Sequence, residues 1–314
     1  MFSAGCWIIC GFCGYSLRTQ GSYEPPIAGR GKQRGCSQTK FTVTVRKLRS
    51  LKNKAALTLK NFMYGRRGEP YVVAGRTLRY LPGTRPTRIR YASARDDNTR
   101  YDALQVCLFA NQLSEGDTVI DIGAHAGQYC IIMAAMCGYT GHVVAFEPDP
   151  YARRRLIHNL KLNPSIKPPA VEQYAVSDRS GAGTLFSRGG NSQSSLVRSG
   201  VEFSATEHAE PITVRLISLD EYMLRSGLPQ PRWVKIDAEG AEIRILAGAR
   251  RLLASSAGIV CELHPYAWAD FGNDFDELKR LAHLSGRRIR YLDQDVSYIG
   301  DTAIYGTVVL ERNA

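Results

Sequence analysis

A chain of 314 residues is long enough for one large domain or a domain with an extension. Its 44% hydrophobic and 22% charged content excludes a chain disordered throughout, and no run approaches the roughly 20 apolar residues that cross a bilayer as a helix, so no integral membrane association is expected. The net charge of +12 is segregated: residues 1–100 hold 20 Lys and Arg against 4 Asp and Glu, whereas the remainder holds 21 against 25. Such asymmetry suits an anionic partner, nucleic acid or a membrane surface; the simpler reading is a solvated basic extension.

Residues 1–40 show no periodicity, are rich in Gly, Ser and Gln, and read as a disordered leader. Cys6 to Tyr15 resembles the apolar part of a signal peptide, but no positive charge precedes it. Cys6, Cys10, Cys13 and Cys36 contain one CxxC half and no second, so no zinc site is read. Cys107, Cys130, Cys137 and Cys261 sit in apolar contexts as buried free thiols, which points to a reducing, cytoplasmic compartment. Residues 41–98 form a basic extension. A basic amphipathic helix is predicted over 43–64, either packed on the main domain or lying on an anionic surface, and a hairpin over 71–93 around a Pro-Gly turn.

From residue 99 onward strands and helices alternate. A helix over 101–113 precedes strand 118–122, helix 127–137, strand 142–146, helix 150–162 and strand 171–175. A Gly/Ser-rich loop over 178–200 follows, of which Ser187 to Ser204 is long enough to serve as a substrate lid. Then come strand 212–216, helix 218–225, strand 233–237, helix 239–254, strand 258–263, helix 273–285 and two closing strands, 287–293 and 302–311. This alternation predicts an α/β domain over 99–314, a mostly parallel, doubly wound sheet with helices on both faces and an antiparallel closing pair.

The turn VIDIGAHAGQY carries D-x-G-x-x-x-G, namely Asp121, Gly123 and Gly127. Gly123 lets the backbone approach a ligand without a Cβ in the way, and Gly127 opens the next helix. A dinucleotide site prefers G-x-G-x-x-G, and here His125 stands where its second Gly would be. S-adenosylmethionine, which has no pyrophosphate, tolerates that change. Asp121 suits the cationic side of that cofactor. Glu147, ending the next strand, can accept both ribose hydroxyls, and Asp178, ending YAVSD, can accept from the adenine amino group.

The stretches EGDTVIDIGAHAGQY, GHVVAFEPDPYARRRLIHNLKLN, YAVSD, NSQSSL, SLDEY, WVKIDAEGAEIRILAGA and IVCELHP, spanning about residues 114 to 265, resemble the FkbM family of S-adenosylmethionine-dependent methyltransferases. The resemblance implies a Rossmann-like class I fold with strand order 3-2-1-4-5-7-6, and transfer to a hydroxyl oxygen of a small molecule, a sugar or polyketide. His125 departs from the family's usual Asn. The implied cofactor residues are Asp121, Gly123, Ala124, His125, Gly127 and Tyr129, then Glu147, Pro148 and Asp178.

On the acceptor side, Asp237 and Glu239 end the fourth strand and His264 follows the fifth. A hydroxyl acceptor needs help losing its proton. His264, with an ordinary pKa of about 6.5, is the expected base and Asp237 its rival. Glu239 can reach a ligand or serve as a first-turn helix residue. Asp237, Glu239 and Glu262 form an oxygen set that a hard cation could use, but no metal is assigned. Two further readings are an RNA or protein methyltransferase using the basic N-terminal region and a non-catalytic module that binds the cofactor. The absence of NPPY or DPPY lowers transfer to a base or amide nitrogen.

Overall fold

The computed structural model describes residues 55–86, 97–189, 194–198, 209–292 and 306–312. The expected leader, the first part of the basic helix and much of the expected lid lie outside the described residues. The chain divides into two compact units, Met1–Gly65 and Arg66–Ala314. In the first, residues 55–64 are helical.

The second unit opens with a hairpin, β1 (Glu69–Val73) and β2 (Arg76–Tyr80). Its turn is not the expected Pro-Gly. The two strands pair from Glu69–Tyr80 to Val73–Arg76, and the turn falls at Ala74-Gly75, both with positive φ (47° and 72°). Two left-handed residues make the tight turn whose twist matches a hairpin, and Gly75 adopts that conformation freely. Although the sequence groups this hairpin with the N-terminal extension, Tyr71, Val73, Leu78 and Tyr80 join the apolar core of the main unit. Asn163 exchanges hydrogen bonds with the Arg79 backbone, and Asn159 accepts from Leu81 N–H while donating to the Ala126 carbonyl. The hairpin is thereby tied to the Gly-rich turn.

The α-helices among the described residues of this unit are α1 (Asp97–Gln112), α2 (Gln128–Cys137), α3 (Pro150–Lys161), α4 (Leu219–Ser226), α5 (Glu242–Ala247), α6 (Arg250–Ala254) and α7 (Phe275–Leu284). The main sheet contains β3 (Thr118–Ile122), β4 (His142–Phe146), β5 (Ala170–Glu172), β9 (Trp233–Ile236), β10 (Gly258–Leu263), β11 (Arg287–Tyr291) and β12 (Gly306–Arg312). They lie in the order β11-β12-β10-β9-β3-β4-β5. Counted along the chain, this is the 3-2-1-4-5-7-6 order of a class I methyltransferase fold. β12 runs antiparallel to β10 and β11, and the remaining pairs are parallel. One face packs Val119, Val143, Val260 and Val309 against α1 and α2. The other packs Ile120, Val234, Ile236 and Leu263 against α4 to α7. Alternate residues of each strand therefore enter opposite cores.

Three expected elements differ. The strand 171–175 is two strands: β5 pairs with β4, then the chain steps at Gln173 and β6 (Tyr174–Ser177) joins a separate sheet. That sheet has the order β6-β8-β7, with β7 over Gly181–Ser187 and β8 over Glu210–Ser218. Its β7 lies inside the expected loop, and β8 is longer than expected because it pairs on both sides. The expected helix 239–254 breaks into α5 and α6 at Gly248-Ala249. Among the described thiols, Cys130, Cys137 and Cys261 are buried and Cys107 is half-buried, and none of these four forms a disulfide. No helix among the described residues is long and apolar enough to cross a membrane.

Arg287, at the start of β11, is buried and spends all five donors on backbone carbonyls of Leu252, Leu253, Ser255, Ala257 and Leu310. It closes the end of α6 and ties the antiparallel strands to the entrance of β10. Replacing it by Met strands these acceptors, and Arg287→Met is expected to lower unfolding stability by about 3 kcal/mol or more, read by urea denaturation.

Candidate active site

The loops after β3, β4 and β9 wall a cleft of about 800 Å3, counted with the open solvent at its mouth. Its place is the carboxyl end of the sheet at the reversal of strand order, where open α/β sheets bind ligands. The Gly-rich turn is bolted to the neighbouring strand end, because the N–H groups of Gly123 and Ala124 both donate to the Phe146 carbonyl at 3.0 Å. Gly123 has φ 79°, and a Cβ there would collide with the Asp237 carbonyl oxygen where the loops after β3 and β9 cross.

His125 also holds a positive φ, 48°. Gly and Asn enter that region most easily. Its backbone N–H donates to Glu147 Oε2 at 2.6 Å. The hold on Glu147 thus comes from the main chain of residue 125, which a His offers as well as the family's usual Asn. Glu147 is 6% exposed and its other oxygen accepts from Asp149 N–H at 2.8 Å. Burial pushes its pKa up to about 8, against the pull of the Asp149 and His125 amides. Asp149 caps α3, accepting from the N–H groups of Tyr151 and Ala152. Its second oxygen accepts from the hydroxyls of Ser187 (2.6 Å) and Ser194 (2.7 Å). Ser195 then donates to the Glu239 carbonyl at 2.6 Å, so Ser194 and Ser195 together join two loops of the cleft.

Beyond this pocket lies a charged cluster. Asp121 in β3 and Lys235 in β9 are paired residues of adjacent strands, each 1% exposed. Neither carboxylate oxygen of Asp121 has a close hydrogen-bond partner; the Cys130 N–H contributes only weakly. Burial pushes Asp121 up to about 6, with Lys235 opposing. Lys235 donates to Asp237 Oδ2 at 3.0 Å and sits 4.8 Å from the centre of the Tyr129 ring. Burial works against its charge, but Asp237, Asp121 and Glu262 outweigh it and raise its pKa. Burial would raise Asp237, yet Lys235 and then His264 hold it below the usual carboxylate range.

Glu239 stands just before α5 with φ 47°, not within the first helical turn. Its Oε2 accepts from the Tyr266 hydroxyl at 2.8 Å, and burial is the main cause of a pKa of about 7. The following residue must be Gly, since a Cβ on Gly240 (φ 106°) would collide with Ala267. Glu242, wholly buried, accepts from the Gly240 N–H and from Trp268 Nε1, both at 2.8 Å. It also bonds His264 Nδ1 at 2.9 Å. His264 is 3% exposed. Burial alone would lower its pKa, but Glu242, Glu239 and Asp237 raise it to about 10. The imidazole therefore holds its proton, and it lies behind the cleft wall. The expected ordinary imidazole, near pH 6.5, is thus found among carboxylates that favour its charged form.

Of the residues expected at the site, Gly123, His125, Glu147, Pro148, Asp237 and Glu239 line the cleft. Asp121, Ala124, Gly127, Tyr129 and His264 stand behind that lining. Asp178 departs furthest: it is outside the cleft, and Arg244 engages both its oxygens at 2.7 to 3.2 Å. The wall where it was expected is Tyr174, Ala175 and Val176, facing Leu185 and Leu196. Sequence reasoning gave no role to Asp149, Ser194, Ser195, Glu242 or Tyr266. Asp149 had a readable signal, since Asp before Pro marks a helix start. Tyr266 had none.

The family model for the methyltransferase FkbM domain matches residues 121–289, and the chain belongs to that family. Hexuronic acid methyltransferase AglP of Haloferax volcanii is 29% identical over 170 residues, which cover 54% of this chain and 64% of AglP, just under two thirds of that protein's length. Among solved structures, methyltransferase FkbM from Methylobacillus flagellatus KT overlays with a TM-score of 0.41 at 15% identity, covering 63% of this chain and 44% of that one. Aeropyrum pernix fibrillarin, in complex with natively bound S-adenosyl-L-methionine, overlays with a TM-score of 0.36 at 13% identity, covering 63% of this chain and 68% of that one.

Gly123→Ala is expected to abolish cofactor binding in calorimetry, because the two crossing loops must part. His125→Asn is expected to keep affinity within about threefold, whereas His125→Val, β-branched in the left-handed region, should cost ~1–3 kcal/mol of stability in thermal or urea unfolding.

Proposed function

We propose that this protein moves the methyl group of S-adenosylmethionine to a hydroxyl oxygen of a sugar-type small molecule. The observation that carries the reading is Glu147: a buried carboxylate at the end of the second strand, set by two backbone N–H groups and facing a cleft beside the Gly123–His125 turn. Each of its oxygens keeps a lone pair for one ribose hydroxyl. Tyr174, Val176, Leu185 and Leu196 supply an apolar wall for a flat base.

When bound, the cofactor supplies a methyl carbon on a sulfonium, which the acceptor oxygen displaces in line: the C–S bond breaks, the C–O bond forms and S-adenosylhomocysteine leaves. The protein's part is to align the acceptor and remove its proton. Glu239 fits the second task best on geometry. It lines the cleft, whereas Asp237 is held by Lys235 and His264 lies behind the wall. Tyr266 fixes the Glu239 carboxylate, which takes the hydroxyl proton. The sugar acceptor is supported by AglP, whose name gives hexuronic acid as its substrate.

Transfer of labelled methyl from S-adenosylmethionine to uronic-acid glycans tests the acceptor; cofactor binding with no transfer to any carbohydrate in the screen would sink it. Glu239→Gln is expected to lower kcat about 100-fold or more, with cofactor affinity within about threefold. Glu147 adds a pH signature. Its folded pKa, about 8, lies above the ordinary unfolded value of 4.5. The folded ligand-free protein therefore holds the extra proton between these values. The associated stability is fully present below the unfolded pKa and is lost as pH rises through about 8. Cofactor affinity runs the other way, strengthening to a plateau above about pH 8 as the carboxylate ionises. Calorimetry from pH 6.5 to 9 reads this trend, and Glu147→Gln should abolish it along with most of the affinity.

A further inference from the structure

We propose that the helix over residues 55–64 docks on an anionic lipid bilayer. Its face of Leu59, Phe62 and Met63 enters the boundary of the acyl chains, and the lysines and arginines around it in the chain meet the headgroups. The inference stands on the N-terminal unit and does not depend on the methyltransferase reading.

Exposure around this helix follows the helical period. Leu59, Phe62 and Met63 stand three and four residues apart, so they share one side. They are 59%, 88% and 58% exposed, and Phe62 is the most exposed large apolar side chain among the described residues. Ala55 and Ala56, one turn earlier on the same side, are exposed as well. Leu57, Lys60 and Tyr64 form another side at a similar spacing. There Lys60 and Tyr64 are half-buried and Leu57 is less exposed than the outer three. The helix therefore turns its largest apolar groups outward. A single exposed Leu is ordinary, but three large apolar groups on adjacent turns make a patch of the kind that marks an interaction surface.

Charge selects the occupant. Residues 25–68 contain 12 Lys and Arg and no Asp or Glu. Lys52 and Lys54 precede the helix in the sequence, Lys60 lies within it, and Arg66 and Arg67 follow it and are exposed. An apolar stripe bordered by cations, with no acid among them, fits a surface that is negative outside and apolar beneath. An anionic leaflet has both layers. Nucleic acid would use the cations, but its phosphate backbone offers no apolar layer for Leu59 and Met63. A second copy of this chain would bring like charge against like charge. In the sequence Leu48, Leu51 and Ala55 continue the same three-and-four spacing towards the N-terminus.

The length of the helix sets the mode of binding. Ten helical residues extend about 15 Å, half of the roughly 30 Å hydrocarbon core, so the helix lies in the interface and does not cross. Each Lys or Arg held near an anionic surface strengthens binding roughly fivefold, and the short apolar face adds to that. Binding is therefore reversible and sensitive to salt.

The test is flotation of the full chain with vesicles of phosphatidylcholine alone or with about 30 mol% phosphatidylserine. Binding to the phosphatidylserine vesicles is expected, about tenfold or more tighter than to phosphatidylcholine alone and falling as salt rises to ~0.5 M. Phe62→Gln combined with Met63→Gln is expected to weaken it about tenfold or more, whereas Leu57→Gln, on the other side of the helix, keeps it within about threefold. Phe62→Trp is expected to keep binding and to shift indole emission to the blue when the anionic vesicles are added. No flotation with either vesicle, equal flotation with both, or binding unchanged by the paired Gln substitutions overturns the proposal. Tighter binding to single-stranded RNA than to the vesicles overturns it too, as does a dimer that the paired substitutions disperse while the vesicles stay bare. Circular dichroism checks that each variant folds. Should the paired variant fail to fold, Phe62→Trp carries the test, and an unshifted emission then overturns the proposal.

Discussion

The acidic end of this sheet depends on the buried ammonium of Lys235. Removing a Lys from water costs several kcal/mol unless it is paired. Here Asp121 from β3, Asp237 after β9 and Glu262 from β10 share it, and together they raise its pKa despite burial. Without this cation three carboxylates would repel one another at the point where the chain must bring three strand ends together. With it, Asp237 stays ionised and its carbonyl can lie directly against Gly123. The cofactor turn and the acceptor loop are therefore one assembly: the lysine supplies the attraction and the absent Cβ of Gly123 supplies the room.

Around that centre the protein trades strain for placement. His125 and Glu239 both hold left-handed backbones that non-glycine residues seldom adopt. In each case the surrounding bonds enforce the conformation. The His125 N–H is tied to Glu147, and the Glu239 carbonyl is tied to Ser195. Asp149 extends the same network, capping α3 with one oxygen and gathering Ser187 and Ser194 with the other. The ribose end of the cleft is linked to Ser187 and Ser194 through that carboxylate.

Much of this was legible in the chain. Alternating strands and helices implied the doubly wound sheet, and DIGAHAG with FEPDP located the cleft, because glycines and a strand-end acid have few other joint uses. Legibility failed where partners come from distant segments. The Pro-Gly pair looked like the hairpin turn, but Ala74-Gly75 forms it because that register brings Tyr71 and Tyr80 into the core. The break at Gln173 carries no Gly or Pro, and only pairing with β8 reveals it. Asp178 looked like a base-reading acid until Arg244, 66 residues away, was seen to occupy it. His264 looked like a base because its neighbours in sequence say nothing of Glu242.

The sequence by itself determined the fold class, the family and the loops that form the cleft, because periodicity and local turn chemistry are properties of neighbouring residues. Tertiary structure decided what each polar group does. Ionisation depends on burial and on charges supplied by other strands, so the pairing of β3, β9 and β10 raises the pKa of His264, lowers that of Asp237 beside Lys235 and leaves Glu239 facing the cleft.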